Sequence, residues 1–166
     1  VGADYSSKFS PWLAHGCLSP REIYRQVRLF EAEVTKNKST YWLIFELLWR
    51  DFFRFTAMKE GNSIFHFDYR ERFATPTPRD WERFDAWAEG RTGVPFIDAN
   101  MTELNETGFM SNRGRQNVGS FLVKDLHVPW VLGAEYFESL LVDYDVCSNW
   151  GNWRYVAGVG SDPRED

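Results

Sequence analysis

Cysteine is scarce. Cys17 and Cys147 have no CxxC spacing, and the three histidines, His15, His66 and His127, stand far apart in sequence. This leaves no pattern for structural zinc and fits a cytoplasmic or other reducing intracellular compartment. No apolar run reaches the roughly 18 residues of a spanning helix, and no basic-then-apolar leader is present, so no membrane partner is expected. Strand-like alternation is confined to short ambiguous runs, and repeats and low-complexity tracts are missing. Positive charge is in deficit, 19 lysines and arginines against 24 acids for a net charge of −5, so nucleic acid would need a local basic surface rather than a global field. Nothing signals an oligomer. The chain opens in VGADYSSKFSPW and stops at GSDPRED, neither like a natural terminus, so a piece of a longer protein is expected.

Aromatic residues are abundant. Eight Trp and 14 Phe in 19.5 kDa exceed what a helical core of this size needs. A buried indole N–H wants a partner, which is why cores usually favour Leu and Ile. Some of these rings are therefore candidates for a ligand site or for electron transfer as well as for packing. With 43% hydrophobic residues the chain is not disordered, and 166 residues suffice for one sizeable core.

The pattern predicts an all-α single domain over residues 1–166. Ser19-Pro20-Arg21-Glu22 reads as a helix start, with Ser19 as N-cap and Glu22 able to close a capping box, and the helix should run to about Thr35. From Ser39 to Lys59 the apolar residues recur too densely for one stripe, which predicts a helix buried on most sides. Residues 62–80 read as loop, with Pro76 and Pro78 disfavouring a regular element. Short helices are expected at about 80–89 and 98–106, around the turn Gly90–Pro95, and longer ones from Ser111 to Asp125 and from Leu132 to Leu141.

Four polar groupings could carry chemistry. Ser6, Ser7, Lys8 and Ser10 offer hydroxyls and an ammonium of the kind that holds a phosphate pair, or are an ordinary polar segment. Glu46, Trp49, Arg50 and Phe53 share one helix face, where Glu46 and Arg50 are placed for an i,i+4 ion pair or for facing a ligand. Asn112, Arg113, Arg115, Gln116 and Asn117 crowd a helix start, with Gly114 permitting close backbone approach; Arg113 and Gln116 share a side and Arg115 points elsewhere. Asp143 and Asp145, with Asn149 and Asn152 soon after, have no nucleophile, metal cluster or partner base beside them, so pairing one acid with Arg115 or Arg113 is a simpler account than hydrolysis.

Together these stretches resemble the FAD-binding domain of the cryptochrome/photolyase family, most closely its DASH branch. The motifs SSKFSPWLAHGCLSPREIY, WLIFELLWRDFFRF, GRTGVPFIDANM, TGFMSNRGRQNVGSFLVKDL and DYDVCSNWGNWRYVAGVGSDPRE occur in order along nearly the whole chain. The resemblance implies a helical FAD-binding domain without the α/β antenna domain and first flavin-domain helices of intact relatives, the antenna chromophore belonging mainly to that absent part. It implies blue-light-driven repair of cyclobutane pyrimidine dimers in UV-damaged DNA, single-stranded or looped, or alternatively a light-signalling role.

Ser6, Ser7, Lys8 and Ser10 resemble contacts to the FAD diphosphate, and Arg50 an arginine of the same region. Glu46 and Trp49 resemble the acid and indole that bond and stack a flipped dimer. Asn112, Arg115, Asp143, Asp145 and Asn149 resemble the groups around the bent flavin, Asn149 facing N5, while Gln116 is typical of the DASH branch. Trp153 and Trp130 match the proximal and middle indoles of a photoreduction chain. Its outermost indole falls on Thr77, so that chain stops at Trp130 or detours through Trp81 or a tyrosine. Tyr155 replaces a second substrate-stacking tryptophan, in keeping with single-stranded substrates.

Overall fold

The computed structural model describes residues 7–65 and 76–159. Ser6 and His66 lie outside them. Eight α-helices, and no strand, appear among the described residues: α1 (Ser10–Ala14), α2 (Pro20–Glu33), α3 (Lys38–Glu60), α4 (Pro78–Ala88), α5 (Pro95–Thr107), α6 (Asn112–Ser120), α7 (Trp130–Leu140) and α8 (Val146–Ala157). A 3₁₀ turn at Gly61–Phe65 follows α3, and a π turn at Phe121–Asp125 extends α6.

Local chemistry accounts for most of these boundaries. Ser19 caps α2, but its hydroxyl accepts from the Arg21 amide, while Glu22 turns outward to Arg25 and Gln26; the expected capping box does not close. Asn37 and Thr40 form such a box for α3 instead. Pro78 and Pro95 occupy first turns, where a missing N–H costs nothing, so α4 and α5 start two or three residues earlier than expected. Two helices escaped the sequence reading: the short α1, and α8, which Asp145 caps and Gly158 ends in the left-handed conformation at φ 74°.

α3 corrects another expectation. It is not buried on most sides: Thr40, Leu47 and Phe53 are buried, whereas Trp42, Leu48, Phe55 and Met58 face solvent. The reason is geometric, since α2 and α8 are the long helices that pack along it.

Two apolar clusters result. The larger gathers Trp87, Met101, Leu104, Val118, Leu122, Phe137 and Trp153 from α4 to α8. The smaller joins Ile23 and Val27 of α2 to Leu47 of α3, flanked by Leu13.

α8 is central because it crosses its neighbours at close range. A Cβ on Gly151 would stand 2.3 Å from Phe53 of α3, and one on Gly133 of α7 would stand 2.3 Å from the Trp153 ring. Glycine at 151 admits the Phe53 ring, and glycine at 133 opens the notch into which Trp153 fits. A methyl there overpacks the crossing, so Gly133→Ala is expected to destabilise the fold by about 1–3 kcal/mol, measured as a lower urea midpoint at unchanged slope.

Candidate functional site

The residues of the GFMSNRGRQN stretch hold one another in place before they meet anything else. Gly108 ends α5 at φ 67°, and its carbonyl accepts from the Val142 amide at 2.9 Å, which brings the α7–α8 loop alongside. Ser111 caps α6 by accepting from the Gly114 amide. The Arg115 Nε donates to the Met110 carbonyl at 2.8 Å, and its guanidinium lies 5.9 Å from the centre of the Phe109 ring. The remaining reach of Arg115 is toward Asp143: Nη2 donates to both carboxylate oxygens, at 2.9 and 2.8 Å. The Asp143 side chain is 1% exposed, so the arginine supplies the countercharge that makes this burial tolerable.

Gly114 permits a close approach, as its place in the motif suggested. A Cβ there would meet Asn100 of α5 at 2.3 Å, so the close approach it permits is to a neighbouring helix. Arg113 and Gln116 do share a side, bonded at 3.0 Å on the surface, and Asn117 donates to the Arg113 carbonyl.

Asp145 combines two tasks. Its Oδ1 accepts from the Ser148 amide at 2.9 Å and hydroxyl at 2.7 Å, capping α8, and its Oδ2 accepts from Arg54 of α3 at 3.4 Å. Desolvation pushes its pKa up, but the Ser148 bonds and the charges of Arg54 and Arg50 outweigh it and hold the carboxyl below its ordinary value. One turn on, Asn149 is buried and donates to the Ala134 carbonyl of α7 at 3.0 Å. No donor among the described residues bonds its Oδ1.

These groups line one recess that is open to solvent. Its polar walls include Asn112, Arg115, Gln116, Asp143, Asp145, Asn149 and Asn152, and its apolar walls include Trp153, Phe137 and Leu141. The sequence reading missed Ser148, Phe137 and Leu141. Ser148 was findable as the third residue after an acidic N-cap; Phe137 and Leu141 were not, because they come from α7 and its C-cap, outside both motifs.

Lys8, Ser10, Glu46, Trp49, Arg50 and Tyr155 are not among the residues that line this recess. Arg50 does not pair with Glu46; its Nη2 reaches back to the Leu13 carbonyl of α1 at 3.3 Å, and its Nη1 is buried without a partner. Ser10 begins α1, and the preceding Lys8 adopts φ 54°, uncommon for a side chain with a Cβ. Glu46 is solvent-accessible on α3, yet desolvation by the surrounding protein raises its pKa. Trp49 meets Tyr155 of α8 edge-on, ring centres 5.9 Å apart.

Trp153 and Trp130 are both buried but do not stack on one another. The Trp153 ring contacts Phe137 at 5.1 Å and Trp87 at 6.2 Å, whereas Trp130 contacts Trp150 at 5.8 Å and its Nε1 is buried without a partner. Thr77 is the N-cap of α4, in a capping box with Asp80. Among the described residues no cluster of His, Cys, Asp and Glu could hold a metal, and no helix is long and apolar enough to cross a membrane.

Residues 42–165 match the protein-family description "FAD binding domain of DNA photolyase". The chain is 64% identical, over its whole length, to a cryptochrome DASH of Danio rerio, of which it covers 32%. Its fold superposes on the crystal structure of a Synechocystis cryptochrome with a TM-score of 0.91 at 63% identity, covering all of this chain and 34% of that one. A Sulfolobus tokodaii photolyase solved with two FAD molecules matches with a TM-score of 0.78 at 38% identity, over 97% of this chain and 35% of that one. The chain thus spans about a third of the length of the relatives it matches.

Two outcomes follow from the charges at the recess. Arg115→Ala leaves Asp143 buried and unpaired and is expected to cost about 3–5 kcal/mol, whereas Arg113→Ala, on the surface, should change stability by less than about 0.5 kcal/mol; parallel denaturant melts compare them. Asp145, with its pKa depressed on folding, stabilises fully above its unfolded value of 3.8 and loses that contribution as pH falls through the lower folded value. Asp145→Asn should therefore flatten the acid limb of a stability profile below about pH 4.

Proposed function

The chain belongs to the cryptochrome/photolyase family, in its DASH branch, and on that premise we propose that it builds the flavin site of a blue-light-driven lyase for cyclobutane pyrimidine dimers, preferring single-stranded DNA. The cofactor is FAD. The observation that carries the reading is the buried Arg115–Asp143 pair set in the wall of a polar and aromatic recess beside Asn149.

The residues present suit FAD at both of its ends. A buried guanidinium nitrogen without a partner, as in Arg50, is costly unless an anion completes it, and a diphosphate held also by Ser7, Lys8 and Ser10 would do so. Ser6 belongs to the same motif but lies outside the described residues. At the ring end, Arg115 and Asp143 would present a fixed dipole to the isoalloxazine, with Asn112 and Asp145 in the same lining, and the Oδ1 of Asn149 would be available to accept a hydrogen bond from the flavin.

When bound, reduced and light-excited, FAD supplies the electron that opens the dimer ring. The chain's own residues bind and orient the substrate. Trp49 and Tyr155 offer two rings, meeting edge-on, against which a flipped base pair can stack, and the modest size of Tyr155 suits a strand that needs no extraction from a duplex. Glu46 shares a face with Trp49, and desolvation raises its pKa; its carboxyl, when protonated, can donate to a pyrimidine carbonyl. Trp153, at the inner wall of the recess, is the first indole placed to re-reduce the flavin, and Trp130 is the second indole that the family pattern assigns.

In the full-length protein, Glu46→Ala is expected to lower dimer repair roughly 2- to 10-fold, the equivalent of a lost neutral hydrogen bond of about 0.5–1.5 kcal/mol, while flavin absorbance per protein stays the same. Equal loss of repair and of bound flavin would remove Glu46 from the substrate site. Repair of an oligonucleotide dimer should be faster in single strands than in duplex, and the reverse order would overturn the strand preference.

A further inference from the structure

Thr77 leaves the photoreduction chain without its outer indole, because its hydroxyl is held as the α4 cap by Asp80 and cannot be oxidised in an indole's place. The same helix carries a different row of rings. From Trp153, Trp87 stands at 6.2 Å, Phe84 lies 5.9 Å beyond Trp87, and Trp81 lies 5.8 Å beyond Phe84, all between ring centres. Trp81, Phe84 and Trp87 recur every third residue along one side of α4, so the two indoles are separated by roughly 9 Å of helix axis. Trp87 is fully buried and fixed by its Nε1 bond to the Val118 carbonyl at 3.0 Å, whereas Trp81 is 45% exposed.

Resting on the flavin reading above, we propose that Trp153, Trp87 and Trp81 form the conduit by which this protein photoreduces its flavin. Trp153 gives one electron to the light-excited oxidised flavin and becomes a radical cation. Trp87 refills Trp153, and Trp81 refills Trp87 across Phe84, which bridges without being oxidised. The Trp81 radical cation then releases its Nε1 proton to water, and an external thiol returns a hydrogen atom to the neutral indole radical. Two such turns deliver two electrons, and the two thiyl radicals couple as a disulfide.

Tyr136 is the competing exit and is less suited. Its ring is 5.7 Å from Trp87, but its hydroxyl donates to the Asn105 amide oxygen at 2.7 Å, with the Ala88 carbonyl as the alternative acceptor at 3.1 Å. A phenol that loses an electron must shed its proton, and neither acceptor is a base. The branch through Trp130 reaches Trp150, whose Nε1 donates to Glu138 at 3.0 Å and whose ring meets Phe65 at 5.0 Å; at 5% exposed, Trp150 gives a thiol little access.

The experiment follows the full-length, FAD-loaded protein under blue light with dithiothreitol, reading flavin bleaching and, by transient absorption and electron paramagnetic resonance, the indole radical. Trp81→Phe is expected to slow bleaching at least tenfold and to remove the deprotonated indole radical, and Trp150→Phe to alter the rate less than twofold. Trp87→Phe should act like Trp81→Phe; should it misfold by circular dichroism, Trp81→Phe decides alone, its ring being on the surface. Wild-type bleaching and radical yield in Trp81→Phe, or a flavin-loaded wild type that does not bleach, would overturn the conduit and leave the flavin site standing. Protein that retains no flavin would sink the functional reading and the conduit together.

Discussion

The ion pair between Arg115 and Asp143 is the constraint on which the rest of the recess depends. A carboxylate with 1% of its side chain exposed is tolerable because a guanidinium reaches both of its oxygens. That reach requires the α7–α8 loop to lie against the end of α5, and two further bonds hold it there: the Gly108 carbonyl accepts from the Val142 amide, and His15 meets the Val142 carbonyl at 3.2 Å. Three separate parts of the chain thus converge within two residues of Asp143. The charge is stabilised by the fold, and the fold is specified by having one place for the charge.

α8 carries this geometry inward. Its first residues cap and line the recess, and its middle pushes Trp153 into the notch opened by Gly133, so the wall of the site and the centre of the larger cluster are the same indole. Its last turn is tied to α3 by the ion pair of Arg154 with Glu60. A side chain shared between ligand wall and core cannot drift without disturbing both, which is how a helical scaffold keeps an aromatic group oriented.

Much of this was legible in the sequence, for identifiable reasons. The motifs at 108–117 and 143–155 name the recess almost residue by residue, and the pairing of Arg115 with an acid follows from the absence of any other use for a lone carboxylate there. Helices with strong caps or initiating prolines were placed to within a few residues. α8 was missed because Asn149, Gly151 and Asn152 are poor helix formers; packing on α3 and α7 makes the helix, not propensity. The i,i+4 spacing of Glu46 and Arg50 misled for a similar reason, since a tertiary acceptor on α1 draws Arg50 away. Breadth of apolar pattern on α3 could not reveal how many neighbours would cover it.

The division into two clusters also has a consequence for how the molecule opens. Sixteen buried side chains hold α4 to α8 together, against three at the base of α2 and α3. Local opening costs scale with buried apolar contact, so the smaller cluster is the weaker cooperative unit and its amides exchange with solvent first. Arg50 and its α1 acceptor belong to that unit, and Arg115 with Asp143 to the other. If Arg50 holds the phosphates as proposed, a bound dinucleotide would be released from that end first, its phosphates loosening while its ring is still gripped.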